Sequence, residues 1–245
     1  MNALPDPVAA AESPRALAAL NAGLEAMDAA ARLRWGLDHL AGPHVLSSSF
    51  GAQAAAMLHL VASQAPGTTV VLVDTGYLFP ETHAFKAQLL RRLDLDLHVV
   101  EPDPARAWGP DEVARLESLG VAGIEAYNRV HKVEPMQRAL RTLGARTWLT
   151  GLRRQQSRSR SGLPVLELVD GRWKLHPLVD WRDRDIGRYL AAHDLPWHPL
   201  WSQGYVSIGD THSSRPLDAG SEPEQTRFFG LKRECGLHEP APAGD

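Results

Sequence analysis

The run Thr69-Val70-Val71-Leu72-Val73 constrains the fold more than any other stretch, because apolar β-branched residues in succession suit a strand better than a helix. It lies between Gly67 and the triplet Asp74-Thr75-Gly76, which is typical of a strand buried on both faces of a parallel sheet. Similar patterns predict strands at residues 45–48, 97–100 and 147–150. Helical patterns separate them, at residues 52–63, 80–93, 111–119 and 133–143. The alternation predicts an α/β domain with a mainly parallel sheet flanked by helices.

The flanking segments have different patterns. Ser13-Pro14 is a typical helix start, and leucines at helical spacing continue to about Gly42-Pro43. Asp170-Gly171 predicts a hairpin between strands at residues 165–169 and 172–175, and a helix is predicted at 183–192. After this helix the periodicity is lost. We therefore expect an N-terminal helical segment (residues 1–42), the α/β domain (43–192) and an irregular, mobile C-terminal lid or tail (193–245).

Charge and cysteine content exclude several classes of function. The net charge of −3 argues against general binding to nucleic acid or to a membrane surface. A single cysteine excludes a disulfide within the chain and a metal site built from several thiolates. The eleven histidines show no metal-site spacing, so no metal site is predicted. Residues 1–12 lack the pattern of a signal peptide, and no apolar run approaches the ~18 residues of a membrane span, so we expect a cytoplasmic protein.

Two polar segments follow neighbouring strands of the predicted sheet. Ser47, Ser48, Ser49 and Gly51 lie between the first strand and a helix, where free N–H groups, the helix dipole and hydroxyls attract anions. Asp74-Thr75-Gly76 ends the next strand and would reach the same sheet edge, where α/β proteins bind ligands. Ordinary caps and turns would look similar. The Walker pattern for nucleotide triphosphates is absent from the sequence.

A basic stretch follows the fourth strand. Four arginines, Arg153, Arg154, Arg158 and Arg160, lie within eight residues. Guanidinium groups bind phosphate or sulfate oxygens in pairs, so a polyanionic ligand is one interpretation and a solvated basic loop is the other. Lys132, Arg215 and Arg227 could add to this charge, although their spacing does not place them.

The lone cysteine, Cys235, lies in a polar stretch near the end of the chain. Lys232, Arg233 and His238 surround it, and neighbouring cations favour the reactive thiolate. A buried core residue is the common alternative for a lone cysteine. Its basic, terminal setting favours a catalytic nucleophile.

Together these segments closely resemble the 3′-phosphoadenylyl sulfate (PAPS) reductases, from about residue 20 to residue 239. Several motifs appear in the family's order. They are Val45 to Gly51, Asp74-Thr75-Gly76-Tyr77-Leu78-Phe79-Pro80-Glu81-Thr82, Lys132-Val133-Glu134-Pro135, Gly151-Leu152-Arg153-Arg154, Ser207-Ile208-Gly209-Asp210-Thr211-His212 and the terminal Glu234-Cys235-Gly236-Leu237-His238.

The resemblance implies an adenine-nucleotide-hydrolase-like fold whose modified phosphate loop, here Ser47 to Gly51, holds the substrate. It implies that Cys235 attacks the sulfonucleotide sulfur, forms an S-sulfonate and releases adenosine 3′,5′-bisphosphate. Thioredoxin or glutaredoxin would then release sulfite, which suits a chain without a second cysteine. Lys132, Arg227 and His238 would surround the sulfate and phosphate, and Arg153, Arg154 and Arg160 would hold the remaining charge. The family also suggests a homodimer.

The related adenylyl sulfate (APS) reductases carry an iron–sulfur cluster on paired cysteines. At the corresponding positions this chain has Tyr127-Asn128, Asp210 and Ser213. The resemblance therefore implies the branch that uses PAPS without a cluster, and no flavin is expected either. A cluster-free APS reductase is an alternative, and a nucleotide-binding redox sensor is another.

Overall fold

A six-stranded sheet forms the centre of the computed structural model, which describes residues 4–220, 222–232 and 234–237. The spatial order of the strands is β3-β2-β1-β4-β6-β5. The strands are β1 (His44–Ser47), β2 (Thr69–Val73), β3 (Asp96–Val100), β4 (Thr147–Leu149), β5 (Leu166–Val169) and β6 (Arg172–Leu175).

The first four strands and β6 run parallel, and β5 is antiparallel to β6. The register pairs Leu46 of β1 with Val70 of β2 and with Leu149 of β4. Polar segments that follow β1, β2, β4 and β6 therefore meet at one edge of the sheet. This edge is the carboxyl edge referred to below.

Helices connect and cover the strands. Proline begins several of them, because its missing N–H is not needed in the first turn. The α-helices are α1 (Pro7–Glu12), α2 (Pro14–Glu25), α3 (Ala29–His39), α4 (Ala54–Gln64), α5 (Pro80–Leu93), α6 (Pro110–Val113), α7 (Gly120–Asn128), α8 (Glu134–Thr142) and α9 (Asp183–Ala192). A π-helical turn, Arg129–Val133, joins α7 to α8. None of the helices in the described ranges combines the length and the apolar character needed to cross a bilayer.

The largest buried cluster joins the N-terminal helices to the sheet. Leu20, Leu24 and Leu33 are fully buried in the same cluster as Leu46 and Leu58. Burying one such side chain contributes about 1.5–3 kcal/mol relative to leaving it exposed. The N-terminal helices α2 and α3 therefore share one hydrophobic core with β1 and α4.

After α9 the described residues form loops and short 3₁₀ turns that run back over the carboxyl edge. Isolated bridges join Leu78 to Asp210 and Ser214 to Arg227. The Thr211 N–H donates to the Tyr77 carbonyl at 2.8 Å. Backbone hydrogen bonds thus attach the irregular segment to the loop that follows β2.

The prediction of a mainly parallel α/β fold flanked by helices is confirmed. All six strands and the 170–171 hairpin occur within one or two residues of the predicted positions. The pattern at residues 111–119 gave only the short α6 followed by turns, and α7 was not predicted. The division at residues 42 and 192 stays a prediction.

Candidate active site

The serine loop after β1 is built to leave hydrogen-bond donors at the carboxyl edge. Ser47 is buried, and its Oγ accepts from Trp148 Nε1 at 2.8 Å, so this side chain positions the loop. Ser48 is half-buried and Ser49 is exposed. Phe50 adopts a positive φ of 49°, and its N–H donates to Ser48 Oγ at 3.1 Å. No side chain caps α4 at Gln53, so its first turn can receive an anion.

Close packing explains Gly51. A Cβ at this position would lie 3.2 Å from the Ile208 carbonyl oxygen, so a side chain would force the loop away from the segment that covers it. The loop after β2 lies on the same edge, where Asp74 Oδ1 accepts from the Gly76 N–H at 3.1 Å. Gly76 has a φ of 80°, which favours glycine.

Thr75 belongs to a buried network around Asp210. Its Oγ1 donates to Asp210 Oδ1 at 2.6 Å, and Tyr127 Oη donates to Oδ2 at 3.2 Å. Lys132 Nζ lies 2.6 Å from Asp210 Oδ2, with both side chains buried. Burial opposes ionisation of Asp210, but the Lys132 charge and the hydrogen bonds from Lys132 and Thr75 hold its pKa well below the usual range. The carboxylate is therefore the counter-charge that lets Lys132 lie inside the protein.

The Phe228 ring brings Lys132 and Arg227 together. Lys132 Nζ lies 5.0 Å from the ring centroid, and Arg227 Cζ lies 5.2 Å from it. These cation–π contacts place two buried positive charges against the same aromatic ring. Gly209 permits the arrangement, since a Cβ there would lie 2.3 Å from an Arg227 guanidinium nitrogen.

His212 lies beside the same charges. Its ring meets Tyr77 and Tyr127 edge-on, with centroid distances of 5.3 Å and 4.9 Å. Burial lowers the pKa of His212 to about 4, so the ring is neutral near pH 7. Within the described ranges, its two ring nitrogens and Arg227 Nε are buried without a hydrogen-bond partner. These atoms leave donor and acceptor capacity next to the two cations.

The cysteine lies against this aromatic region. Cys235 is half-buried and packs on the cluster of Val113, Leu116, Ile124, Tyr127 and Phe228. Two residues further on, Leu237 packs against the buried cluster that contains Val71 and Trp148, as do Val73 and Val100 at the ends of β2 and β3. The tail thus crosses the carboxyl edge. His238 and Arg233 lie outside the described residues.

The basic loop after β4 is held by carboxylates of the protein itself. Arg153 is buried and bonds to Asp183 at 3.0 Å, to the Trp181 carbonyl and to Gln53. Arg154 pairs with Glu25 of α2. Arg160 Nη2 lies 2.5 Å from Glu234, and exposed Arg158 has no ion pair with a described residue. Three of the four arginines therefore already have an anionic partner.

A series of buried hydrogen bonds fixes the start of this loop. Thr150, just after β4, lies 2.5 Å from His176 Nδ1, and His176 Nε2 lies 2.9 Å from Glu167. Burial lowers the pKa of His176. The neutral ring then donates from Nε2 to Glu167 and accepts the Thr150 hydroxyl at Nδ1. Sequence patterns gave no indication of this series, because its members lie on three different strands or strand ends.

Sequence reasoning also missed Tyr127, His131 and Glu234 as parts of the site. His131 shares the π-helical turn with Lys132, donates from Nδ1 to the Thr75 carbonyl at 3.1 Å and accepts the Trp108 N–H at Nε2. A π-helical turn often marks a functional position, but no residue pattern predicts it. Glu234 adjoins Cys235 in the sequence, and its charge was the available signal.

A mainly parallel sheet with an uncapped helix start, buried cations and a thiol near its carboxyl edge defines an α/β protein with a site for an anionic ligand. Comparison with known proteins supports this class and narrows it. Residues 43–216 match the family model of the phosphoadenosine phosphosulfate reductase domain. The chain is 55% identical over 235 residues to the phosphoadenosine 5′-phosphosulfate reductase of Alkalilimnicola ehrlichii, covering 96% of this chain and 95% of that protein. It is 54% identical to the Zymomonas mobilis enzyme of the same name, covering 94% of each.

Solved structures agree. The phosphoadenylyl-sulfate reductase of Candida auris, in a phosphate complex, has a TM-score of 0.70 and 28% identity, covering 83% of this chain and 98% of that one. Candida glabrata FMN adenylyltransferase has a TM-score of 0.56 at 18% identity and shares the fold alone. The chain therefore belongs to the phosphoadenosine phosphosulfate reductase family, a family of oxidoreductases. The resemblance inferred from the motifs is confirmed.

Proposed function

We propose that the protein reduces PAPS to sulfite and adenosine 3′,5′-bisphosphate, with Cys235 as the nucleophile. The observation that carries this proposal is the convergence on Phe228, whose ring contacts both Lys132 and Arg227 and whose cluster includes Cys235. A thiol packed against the same aromatic cluster as two buried cations suits attack on a sulfur atom that carries anionic oxygens. Curated relatives above 50% identity bear the name of this activity.

The first step transfers the sulfonate group. The Cys235 thiolate attacks the sulfur of PAPS, so that an S–S bond forms and the S–O bond to the phosphate breaks. Adenosine 3′,5′-bisphosphate leaves with the bonding electron pair. Lys132 and Arg227 stabilise the charge on the sulfate and on the departing phosphate. Covalent catalysis of this kind divides a difficult reduction into two thiol exchanges.

The second step needs a dithiol from another protein, because Cys235 is the only cysteine of the chain. A thioredoxin or glutaredoxin thiolate attacks Cys235 Sγ and displaces sulfite, which carries away two electrons. Its second thiol then reduces the mixed disulfide and restores Cys235. A reducing cytoplasmic compartment suits this cycle.

We further propose that the reaction uses neither an iron–sulfur cluster nor a flavin. Where APS reductases have paired cysteines, the side chains here are oxygen and nitrogen donors, and Tyr127 and Asp210 are hydrogen-bonded to each other at 3.2 Å. Iron–sulfur clusters require thiolates. Iron, acid-labile sulfide and bound flavin should each stay below 0.1 mole per mole of active enzyme, on the order of trace contamination; stoichiometric amounts of any of them would overturn the proposal.

The test of the main proposal is mass spectrometry of the protein mixed with PAPS in the absence of reductant. The intact mass should rise by one SO₃ group, and peptide mapping should locate the adduct on Cys235. Cys235→Ser should bind adenosine 3′,5′-bisphosphate normally yet gain no adduct and release no sulfite. A redox sensor would acquire no sulfonate, and turnover by the variant would disprove the mechanism.

Substrate choice is tested by supplying PAPS and APS separately with thioredoxin present. We expect PAPS to be preferred at least about tenfold, since one charge-assisted hydrogen bond to the 3′-phosphate contributes about 1.5–3 kcal/mol. Equal kcat/KM values would instead favour a cluster-free APS reductase.

A further inference from the structure

Glu234, the residue before the cysteine, makes the most extensive polar contact among the described residues 231–232 and 234–237. Its Oε1 accepts from Ser157 Oγ at 2.7 Å and from Ser159 Oγ at 2.8 Å. Its Oε2 accepts from Arg160 Nη2 at 2.5 Å. The Glu234 side chain is only 14% exposed and that of Arg160 only 19%. One carboxylate thus receives three donors from four consecutive residues of the basic loop.

The basic loop is a fixed partner for this carboxylate. Its Arg153 is anchored to α9 through Asp183, and its Arg154 to α2 through Glu25. The Arg154 N–H also donates to the Val179 carbonyl at 2.8 Å. Arg160 is oriented by Gln156 of the same loop. Because the loop is held from the far side, the contact with Glu234 restrains the tail and not the loop.

The restraint acts directly on the nucleophile. Neighbouring Cα atoms are about 3.8 Å apart, so an anchored Glu234 leaves Cys235 only a small volume to explore. From there Cys235 packs against the Tyr127–Phe228 cluster, and Leu237 packs against the buried cluster that contains Val71 and Trp148. Within the described residues 231–232 and 234–237, the other ion pair is Lys232–Glu125; its glutamate is 57% exposed, so this pair restrains Cys235 less.

We propose that Glu234 is a positioning residue that docks the tail on Ser157, Ser159 and Arg160 and so holds Cys235 over the substrate during sulfonate transfer. On this view Arg160 binds the tail and not the 3′-phosphate of the nucleotide. The proposal rests on the proposed function. The contact persists while the S–S bond forms and opens when the sulfonate is presented to the reducing protein.

The first experiment compares Glu234→Gln, which removes the charge but keeps the shape, with Glu125→Gln as matched control. Single-turnover formation of the Cys235 sulfonate at saturating PAPS should slow about tenfold or more in Glu234→Gln and stay within about twofold of wild type in the control. The Kd for adenosine 3′,5′-bisphosphate should not change, and thioredoxin should release sulfite from the preformed sulfonate at the original rate or faster. An unchanged rate of sulfonate formation would overturn the proposal.

A second measurement needs no substrate, so it separates this inference from the proposed function. Alkylation of Cys235 by iodoacetamide should be several-fold faster in Glu234→Gln than in wild type, because the tail undocks more often. If wild-type protein formed no sulfonate with PAPS, the proposed function would fail while this result still stood. Equal alkylation rates would instead contradict the docking contact itself.

Arg160→Gln distinguishes the tail from the nucleotide as the partner of Arg160. We expect it to slow sulfonate formation as Glu234→Gln does, with no further loss in the double variant, since both remove one contact. Its affinity for adenosine 3′,5′-bisphosphate should stay within about twofold. Tenfold weaker binding of the bisphosphate with unchanged binding of AMP would assign Arg160 to the 3′-phosphate and overturn the inference.

Discussion

Asp210 is the residue on which most polar contacts of the site converge. It is 1% exposed, accepts hydrogen bonds from Thr75 and Tyr127, and forms an ion pair with Lys132. Removing one partner of a buried ion pair is costly, because the remaining charge stays buried without compensation. Asp210 therefore makes possible the position of Lys132, a cation that the proposed chemistry uses.

Asp210→Asn should lower the free energy of unfolding by about 3–5 kcal/mol, as expected for a broken buried pair. Urea denaturation measures this change. The matched control is Asp194→Asn, which breaks an Arg92 pair whose aspartate is 96% exposed; its cost should be below about 1 kcal/mol. Similar costs for the two variants would show that the Lys132 charge is not effectively buried.

At the scale of elements, one arginine joins the N-terminal helices to the segment that follows β6. Arg32 of α3 is fully buried and donates to the carbonyls of Leu24, Glu25 and Pro177. It also pairs with Asp180, with Arg32 Nη1 2.5 Å from Oδ1. These contacts join the end of α2 to the segment after β6, from which the chain continues to α9.

Arg32→Met keeps much of the apolar volume but leaves these acceptors unsatisfied. We expect it to destabilise the protein by about 3 kcal/mol or more, since each unsatisfied buried group costs about 1–3 kcal/mol. Arg34→Met, on the exposed face of the same helix, should change stability by less than about 0.5 kcal/mol. Thermal or urea unfolding of the two variants measures this difference, and equal stabilities of Arg32→Met and Arg34→Met would refute the anchoring role of Arg32.

Elements with strong local patterns could be predicted from the sequence. The five-residue run of β2, the hairpin at Asp170-Gly171 and the helix after Pro80 are each specified by neighbouring residues. The α7 helix could not be predicted in this way, because Gly120 and Gly123 weaken its helical pattern and no side chain caps its start. The π-helical turn depends on the tertiary packing of His131 and Lys132.

The same distinction applies to the site. Ser47 to Gly51 and Asp74 to Gly76 were predictable as a pair, since parallel strands place their ends at one edge. The partners of the arginines were not predictable from the sequence. Arg154 pairs with Glu25 and Arg160 pairs with Glu234, across sequence separations of 129 and 74 residues. A basic stretch shows where positive charge lies but not which anion it binds.

For the molecule as a whole, several histidines are held in the neutral form. His198 is 1% exposed; its Nε2 donates to Thr82 Oγ1 at 3.0 Å and its Nδ1 accepts the Leu200 N–H at 3.1 Å. A proton on Nδ1 would oppose that N–H. Burial lowers the pKa of His198 to about 4, and it also lowers the pKa values of His131, His176 and His212.

These shifts predict that stability falls as the solution is acidified from pH 7.5 to 5.5. Unfolded histidine binds a proton near pH 6.5, whereas the native ring of His198 does so only near pH 4. In this window the unfolded state therefore binds more protons, and stability decreases with decreasing pH. His198 alone should contribute about 1 kcal/mol by pH 5.5, and the other buried histidines act in the same direction. The lowered pKa values of Asp210 and Glu234 matter only at more acidic pH, since those groups stay ionised throughout the window.

Urea unfolding across this pH range measures how steeply stability changes with pH. His198→Asn, which keeps an acceptor but does not titrate, should reduce the slope, while His83→Asn at an exposed position should leave it unchanged. A stability that stayed constant or rose on acidification would show that these rings accept protons in the native state.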